Sequence, residues 1–499
     1  MKDNVLFNIH EVALLEETLM CLIRKVNVLQ MNEVTKNSFE KMYKTILITF
    51  KKMYILVLGY KMNGGMTLHR TIMKNLVLWK NKPDRKPLIL QGARQVGKTW
   101  IMKEFGRQNY KYVAYVNMDH NVHMQDSFAK DFDVDRILED IGIETHTKIL
   151  AGETLIILDE IQEVPLALSC LKYFCENASD YHVMAAGSLL GVAMHKGISY
   201  PVGKVNLLTM YPLSFKEFLE AIGEEQLAEY VDHPKSDKLV TFRDKYVANL
   251  KKYYFIGGMP EVVMTYLQDR DYDEVREVQN TILQLYESDF SKHIESKTEL
   301  ERTRMVWNSV PMQLAKENKK FFFGQIKKGA RSADFKVSIQ WLIDCGLLYK
   351  VYCVEKPGMP LKAYTDFSSY KLFMVDVGLL GAMAELDAES LLEGNRIFVE
   401  FKGAMAEQYV HQQLVSTTAY VPYYYSNVRS RNEIDFLIQI KGAVIPIEVK
   451  AEENLQSKSL KAYVDKFKPE YAIRTSMKDY REQDWLINMP LWCVSGLSE

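Results

Sequence analysis

The sequence predicts an α/β protein organised on a parallel sheet, and three observations carry that prediction. Short apolar runs alternate with stretches of helical character from residue 87 to residue 213. One of them, "PLIL" (87–90), passes straight into "QGARQVGKTW" (91–100), which fits the pattern G-x-x-x-x-G-K-[ST]. The composition, 47% hydrophobic and 25% charged, is that of an ordinary globular chain. With 499 residues the chain is too long for one core, and roughly three or four domains are expected.

Residues 1–65 are rich in Lys, Met and β-branched residues and carry no motif. They read as an N-terminal extension of unknown role, with Met62 and Met66 as alternative starts. The run "ILITFKKMYILVLGY" (46–60) is broken by Lys51 and Lys52. It falls short of the ~20 apolar residues that span a bilayer. "MKDNVLFNIHE" has no compact apolar region leading to a small-residue cleavage site. The six cysteines (21, 170, 175, 345, 353, 493) include no C-x-x-C pair, which argues for reduced thiols. A cytoplasmic protein with no membrane contact is expected. The net charge of −1 excludes a global field directed at nucleic acid, so any basic surface must be local.

Residues 66–213 form the expected core. A helical segment ends near Pro83, and the strand 87–90 follows. Four further runs, "YVAYVNMD" (112–119), "TLIILDE" (154–160), "YHVMAAGS" (181–188) and "VNLLTMYPL" (205–213), are spaced for crossover helices. Near-continuous apolar strands of this kind mark a parallel sheet covered on both faces. Residues 214–295 read as helical, broken at "FIGGMPEV" (255–262), where Gly-Gly and Pro enforce a turn. Residues 296–385 are mostly helical with two short strands, and 386–499 run helix, strands, helix.

In the loop, Gly92 and Gly97 let backbone N–H groups close around phosphates. The expected nucleotide contacts run from Gly92 through Ala93, Arg94, Gln95, Val96, Gly97, Lys98 and Thr99 to Trp100. Lys98 would reach the β- and γ-phosphates and Thr99 would hold Mg²⁺. Arg94 reads either as a further phosphate contact or as a surface side chain on the turn. "LIILDE" adds Asp159 beside the Mg²⁺ and Glu160, suited to polarising an attacking water. Ser188, ending the next apolar strand, reads equally as a reporter on the γ-phosphate or as a satisfied hydroxyl. The acidic strand comes third in order and the Ser188 strand fourth, which resembles the additional-strand, catalytic-glutamate class of P-loop ATPases. ATP and Mg²⁺ are the expected cofactors.

A second constellation lies in "SRNEIDFLIQIKGAVIPIEVKAEENLQSKSL" (430–460). Asp435 opens an apolar strand, and Glu448 and Lys450 sit two apart on another, on one face by the period of two. Glu407, in the helical stretch 401–414, can aim at the same place. Three carboxylates and a lysine together call for a neutralising ion. Mg²⁺ held by Asp435 and Glu448 would serve, with Lys450 orienting or deprotonating water. The bland alternative for E-x-K is a solvent-facing ion pair. The spacing D–x₁₂–E–x–K is that of the PD-(D/E)xK nuclease core, with Ile434 in place of the usual Pro.

In chain order, "RKPLILQGARQVGKT", "IILDEIQ", "YPLSFKEF", "GGMPEVV", "DFSKH", "WLIDCGLLYKV", "DVGLL", "EIDFLI", "IPIEVKA" and "SKSL" resemble a large prokaryotic family of AAA-type ATPases with an uncharacterised C-terminal domain. The resemblance covers about residues 66–490. It implies an ATPase core (66–213), a helical lid (214–295), a winged-helix-like module (296–385) and a restriction-endonuclease-like domain (386–499). Lys98, Thr99, Asp159 and Glu160 match its ATPase motifs, and Glu407, Asp435, Glu448 and Lys450 its nuclease-like core. Members often carry Arg after the Gly of "PVGK"; here that position is Lys204.

The segment 312–336 holds seven Lys/Arg against two acids, interleaved with Phe321, Phe322 and Phe323. A winged helix on DNA phosphates would look like this, and so would a solvated helical face over a Phe core. Two functions follow. One is an ATP-driven machine that binds DNA through the 316–336 segment and binds or cuts it with the C-terminal domain. The other is a nucleotide-dependent switch whose nuclease-like domain is a non-catalytic binding module.

Overall fold

The computed structural model describes residues 68–187, 201–316, 320–394, 399–427, 432–451 and 458–498. Residues 1–65, Ser188 and Lys319 therefore lie outside the described residues. The chain divides into two compact units, 1–67 and 68–499, and the described residues all belong to the second.

The expected strands form where the apolar runs lie: β1 Leu88–Gln91, β2 Tyr112–Asn117, β3 Thr154–Asp159, β4 His182–Ala186 and β5 Asn206–Thr209. They pair in parallel in the order β2-β3-β4-β1-β5. Strand β4 is thus inserted between the loop-bearing β1 and the acidic β3. Alternate side chains enter opposite layers. Leu88, Leu90, Leu155, Ile157 and Met184 face α1 (Ile72–Lys80) and α2 (Lys98–Asn109). Ile89, Ile156, Leu158 and Val183 face α3 (Val122–Lys130), α4 (Val134–Thr145) and α5 (Pro165–Asn177). Each such side chain, taken fully from water, contributes about 1.5–3 kcal/mol. That is why β3 is buried at every position.

Helices α6 (Phe215–Ala221), α7 (Glu225–Tyr230), α8 (Asp237–Thr241), α9 (Arg243–Ile256), α10 (Pro260–Asp269) and α11 (Tyr272–His293) follow. Ser214 starts α6 with a reciprocal capping box to Glu217. The turn between α9 and α10 needs both glycines. Gly257 has φ +76°, and a side chain there would collide with the Asp376 carboxylate. One at Gly258 would collide with the Leu213 backbone.

Beyond it come α12 (Lys297–Leu314), the short α13 (Phe323–Ile326), α14 (Ser332–Asp344) and a hairpin of β6 (Leu348–Val354) and β7 (Thr365–Met374). Phe321 N donates to Tyr370 O (2.8 Å), adding one backbone rung to the hairpin. Then follow α15 (Val377–Met383), α16 (Val399–Thr417), β8 (Tyr423–Asn427), β9 (Asn432–Ile440), β10 (Ala443–Val449), α17 (Lys458–Phe467), β11 (Ala472–Ser476), β12 (Arg481–Glu482) and β13 (Leu486–Pro490). The hairpin and these strands form one eight-stranded sheet, β12-β13-β11-β10-β9-β8-β6-β7. The join is a short parallel pairing of Cys353 and Val354 with Tyr424 and Tyr425. No helix among the described residues is long and apolar enough to cross a membrane.

Candidate functional site

Strand β1 delivers the chain into a loop whose backbone only glycine can follow at its ends. Gly92 has φ +144° with no room for a side chain against Met210 O, and Gly97, at φ +95°, opens α2. The N-terminus of α2 thereby points at the loop, the arrangement that binds phosphate. Lys98, on its first turn, is buried and donates to Gly92 O (3.0 Å) and Ala93 O (2.8 Å). Burial pulls its pKa down to about 8, against the opposing pull of Glu160 and Asp159.

The parallel register sets Asp159 at the C-terminal end of β3, level with the loop side of the sheet. Thr99 donates its hydroxyl to Asp159 Oδ2 at 2.6 Å, and Tyr115 donates to the same oxygen at 3.0 Å. Glu160 follows in a left-handed conformation (φ +50°), and Gln162 Nε2 donates to its Oε2 at 2.7 Å. A left-handed glutamate is uncommon and turns the side chain away from the strand's alternation. The expected residues Lys98, Thr99, Asp159 and Glu160 are thus brought together. These groups suit a nucleotide with Mg²⁺: a cradle, a buried lysine, and a hydroxyl–carboxylate pair at metal-ligand spacing.

The loop is braced from outside. Arg70 Nη1 donates to Val96 O (3.1 Å), Tyr286 to Arg94 O (2.9 Å), and Gly346 packs against Ala93. Arg94 itself is ion-paired to Asp289 of α11. Burial opposes its charge, but Asp289 outweighs this and raises the pKa. Gln95 takes φ +65° and its buried Oε1 has no hydrogen-bond partner. Trp100 is exposed. Lys204 pairs with Glu176 at 2.9 Å.

The C-terminal residues gather on the second sheet. Antiparallel pairing sets Phe436 opposite Ile447, which brings the neighbouring Asp435 and Glu448 to the same end of the two strands. Asp435 Oδ2 accepts from Val449 N (2.8 Å), and Lys450 pairs with Glu448 Oε1 (2.6 Å). Glu448 Oε2 and Thr475 Oγ1 are buried without a hydrogen-bond partner. Glu407, from α16, meets a lysine that the sequence motifs do not include. Lys371 of β7 is fully buried, 2.6 Å from Glu433 and 3.4 Å from Glu407. Burial alone would discharge Lys371, but Glu433, Glu407 and Asp435 raise its pKa and hold it charged. Among the described residues, no three His, Cys, Asp or Glu side chains are grouped to hold a metal ion. Lys371 and Glu433 escaped sequence reasoning. The signal was a lone lysine among the apolar residues of "YKLFMV".

In the basic segment, Lys316, Lys327, Lys328, Arg331 and Lys336 are exposed, while Lys320 donates to Ser369 Oγ (2.7 Å). Phe321 stacks on Tyr370, Phe323 packs against Phe321 and Phe335, and Phe322 points outward.

Residues 84–219 match a family described as an AAA domain. Two domains of unknown function match residues 247–390 and 402–494. Strand order, loop geometry and this match together make the first part of the described chain an AAA-type P-loop ATPase core, a nucleotide-binding fold. No curated protein matches the chain. Among solved structures it is similar to the Walker-type ATPase of Pyrococcus abyssi, at 13% identity over 64% of this chain and 96% of that one, TM-score 0.42. It is also similar to Orc1 of Aeropyrum pernix, solved in complex with DNA, at 12% identity over 63% and 90%, TM-score 0.26. RuvB of Thermotoga maritima follows at 13% identity over 56% and 88%, TM-score 0.26.

Proposed function

We propose that this protein hydrolyses ATP and passes its nucleotide state to the segments after the core. The observation that carries the reading is the Thr99–Asp159 pair (2.6 Å) beside the buried Lys98. With ATP bound, Lys98 would meet the phosphates, and Thr99 and Asp159 would hold Mg²⁺, which would supply charge neutralisation there. Glu160 then accepts the proton of the attacking water. The state is read out by α11 and by Gly346, which touch the loop at Arg94 and Ala93. The arrangement of α12, α13, α14 and the hairpin supports a winged-helix-like module, and its exposed lysines suit DNA phosphates. ATP turnover by wild type, Lys98→Ala and Glu160→Gln tests the first half: normal turnover in either variant sinks it. Binding of duplex DNA that survives Lys327→Glu/Lys328→Glu/Lys336→Glu unchanged sinks the second.

For the C-terminal domain, phosphodiester cleavage by Glu407, Asp435, Glu448 and Lys450 competes with the switch reading, in which the domain is a non-catalytic module. The switch reading is the better supported, because Glu407 is engaged by Lys371. A nuclease assay with Mg²⁺ or Mn²⁺ on wild type and Asp435→Ala decides: cleavage lost in the variant overturns it.

A further inference from the structure

On the second sheet Lys371 is held among the carboxylates of Glu433, Glu407 and Asp435, and the Glu448–Lys450 pair sits at the end of β10. Glu433 and Asp435 lie on β9, Glu448 on β10 and Glu407 on α16; Lys371 and Lys450 pair with three of them. We propose that Lys371 is the resident cation of this centre, standing in for a divalent metal and excluding one. This deepens the switch reading and rests on it.

A fully buried ammonium is tolerated only with close counter-charges, and Glu433 at 2.6 Å and Glu407 at 3.4 Å provide them. Those contacts commit Glu407, itself buried, to the lysine. Asp435 turns one oxygen to the Val449 amide and lies close enough to help hold Lys371 charged, so an added dication would face a like charge at short range. Glu448 Oε2 is a buried acceptor without a hydrogen-bond partner, and one such oxygen is a poor match for a hard cation that takes several. Lys371 therefore neutralises the centre from within. Because it stands on β7, it also fastens the hairpin to β9 and α16.

The experiment is Mn²⁺ binding to the nucleotide-free chain, followed by electron paramagnetic resonance. Wild type and Asp435→Asn are expected to bind the same number of ions. Lys371→Met is expected to gain one Mn²⁺ per chain, lost again in Lys371→Met/Asp435→Asn, and its thermal midpoint is expected to rise with Mn²⁺. Lys371→Arg, which keeps the charge, should match wild type. A wild-type ion that Asp435→Asn loses overturns the proposal, and so does a folded Lys371→Met that gains none. If Lys371→Met does not fold, the first pair decides alone. Mn²⁺ bound at Asp435 without DNA cleavage removes only this inference; cleavage removes the switch reading as well.

Discussion

Arg94, inside the phosphate loop, is ion-paired to Asp289, 195 residues further along the chain. Tyr286, one helical turn before Asp289, donates to the backbone carbonyl of the same arginine. On the reading of Arg94 as a phosphate contact, that carboxylate competes with the phosphate for the guanidinium. Arg94 is 41% exposed at its side chain and Asp289 14%, so the pair is partly screened. Such a pair is worth about 0.5–1 kcal/mol. Asp289→Asn is expected to tighten ATP binding by roughly 2–5-fold, as measured by calorimetry. Weaker binding would show that the pair organises the loop.

Hydrolysis and binding separate at Glu160. Glu160→Gln keeps a side chain that Gln162 can contact but removes the proposed base. Turnover is expected to fall by about 10²–10⁴ with ATP affinity nearly unchanged. Single-turnover kinetics and binding on the same preparation check both.

Lys98 gives nucleotide binding a pH dependence. In the free protein its ammonium loses a proton near pH 8 instead of at its ordinary 10.5, because it is desolvated. Phosphates bind the charged form, so binding above that pH takes up a proton. Affinity is expected to be flat below about 8 and to fall by up to about tenfold per unit above it. A titration of ATP affinity from pH 7 to 10 reads the limb, and Lys98→Arg should flatten it.

Acid stability turns on His411. It is buried, stacked on Phe373 at 4.5 Å, and burial lowers its pKa to about 3 from 6.5. The folded ring is neutral, so below 6.5 the unfolded chain holds the extra proton. Stability from this group is complete above that pH and is lost as pH falls towards 3, by roughly 1 kcal/mol per unit. His411→Leu should flatten that part of the curve of thermal midpoint against pH, even if it lowers the whole curve.

The Gly257 turn is equally exposed to test. Asp376 accepts from Gly258 N (2.7 Å), Gly378 N (2.9 Å) and Gln412 Nε2 (3.0 Å). Gly257→Ala adds a strained φ and a collision with that carboxylate, and should cost at least about 2 kcal/mol by chemical denaturation.

The sheet of the core was legible because strands buried on both faces leave uninterrupted apolar runs, and the loop because its chemistry is contiguous. Asp159 and Glu160 followed from their place at a strand end. Asp289 and Lys371 were not legible. Each acts on a residue far away in sequence, and nothing local distinguishes Asp289 from any other acid on a helix. Lys371 did leave a trace, a charge in an apolar strand, but its partners come from β9 and α16. "DVGLL" is visible as a motif, but its Asp376 meets the Gly257–Gly258 turn only through the fold, 118 residues away.

The two-rung join between β6 and β8 bears on how the gene can be cut. A fragment starting at residue 386 would carry β8 without the neighbour that covers its outer edge. It would also strand Glu407 and Glu433 without Lys371. Exposed strand edges recruit other strands, so such a fragment should self-associate. A start before the hairpin would keep that edge and Lys371, but would still part Asp376 from Gly258 N and Gln412 from Tyr253, so the two halves are tied as one unit.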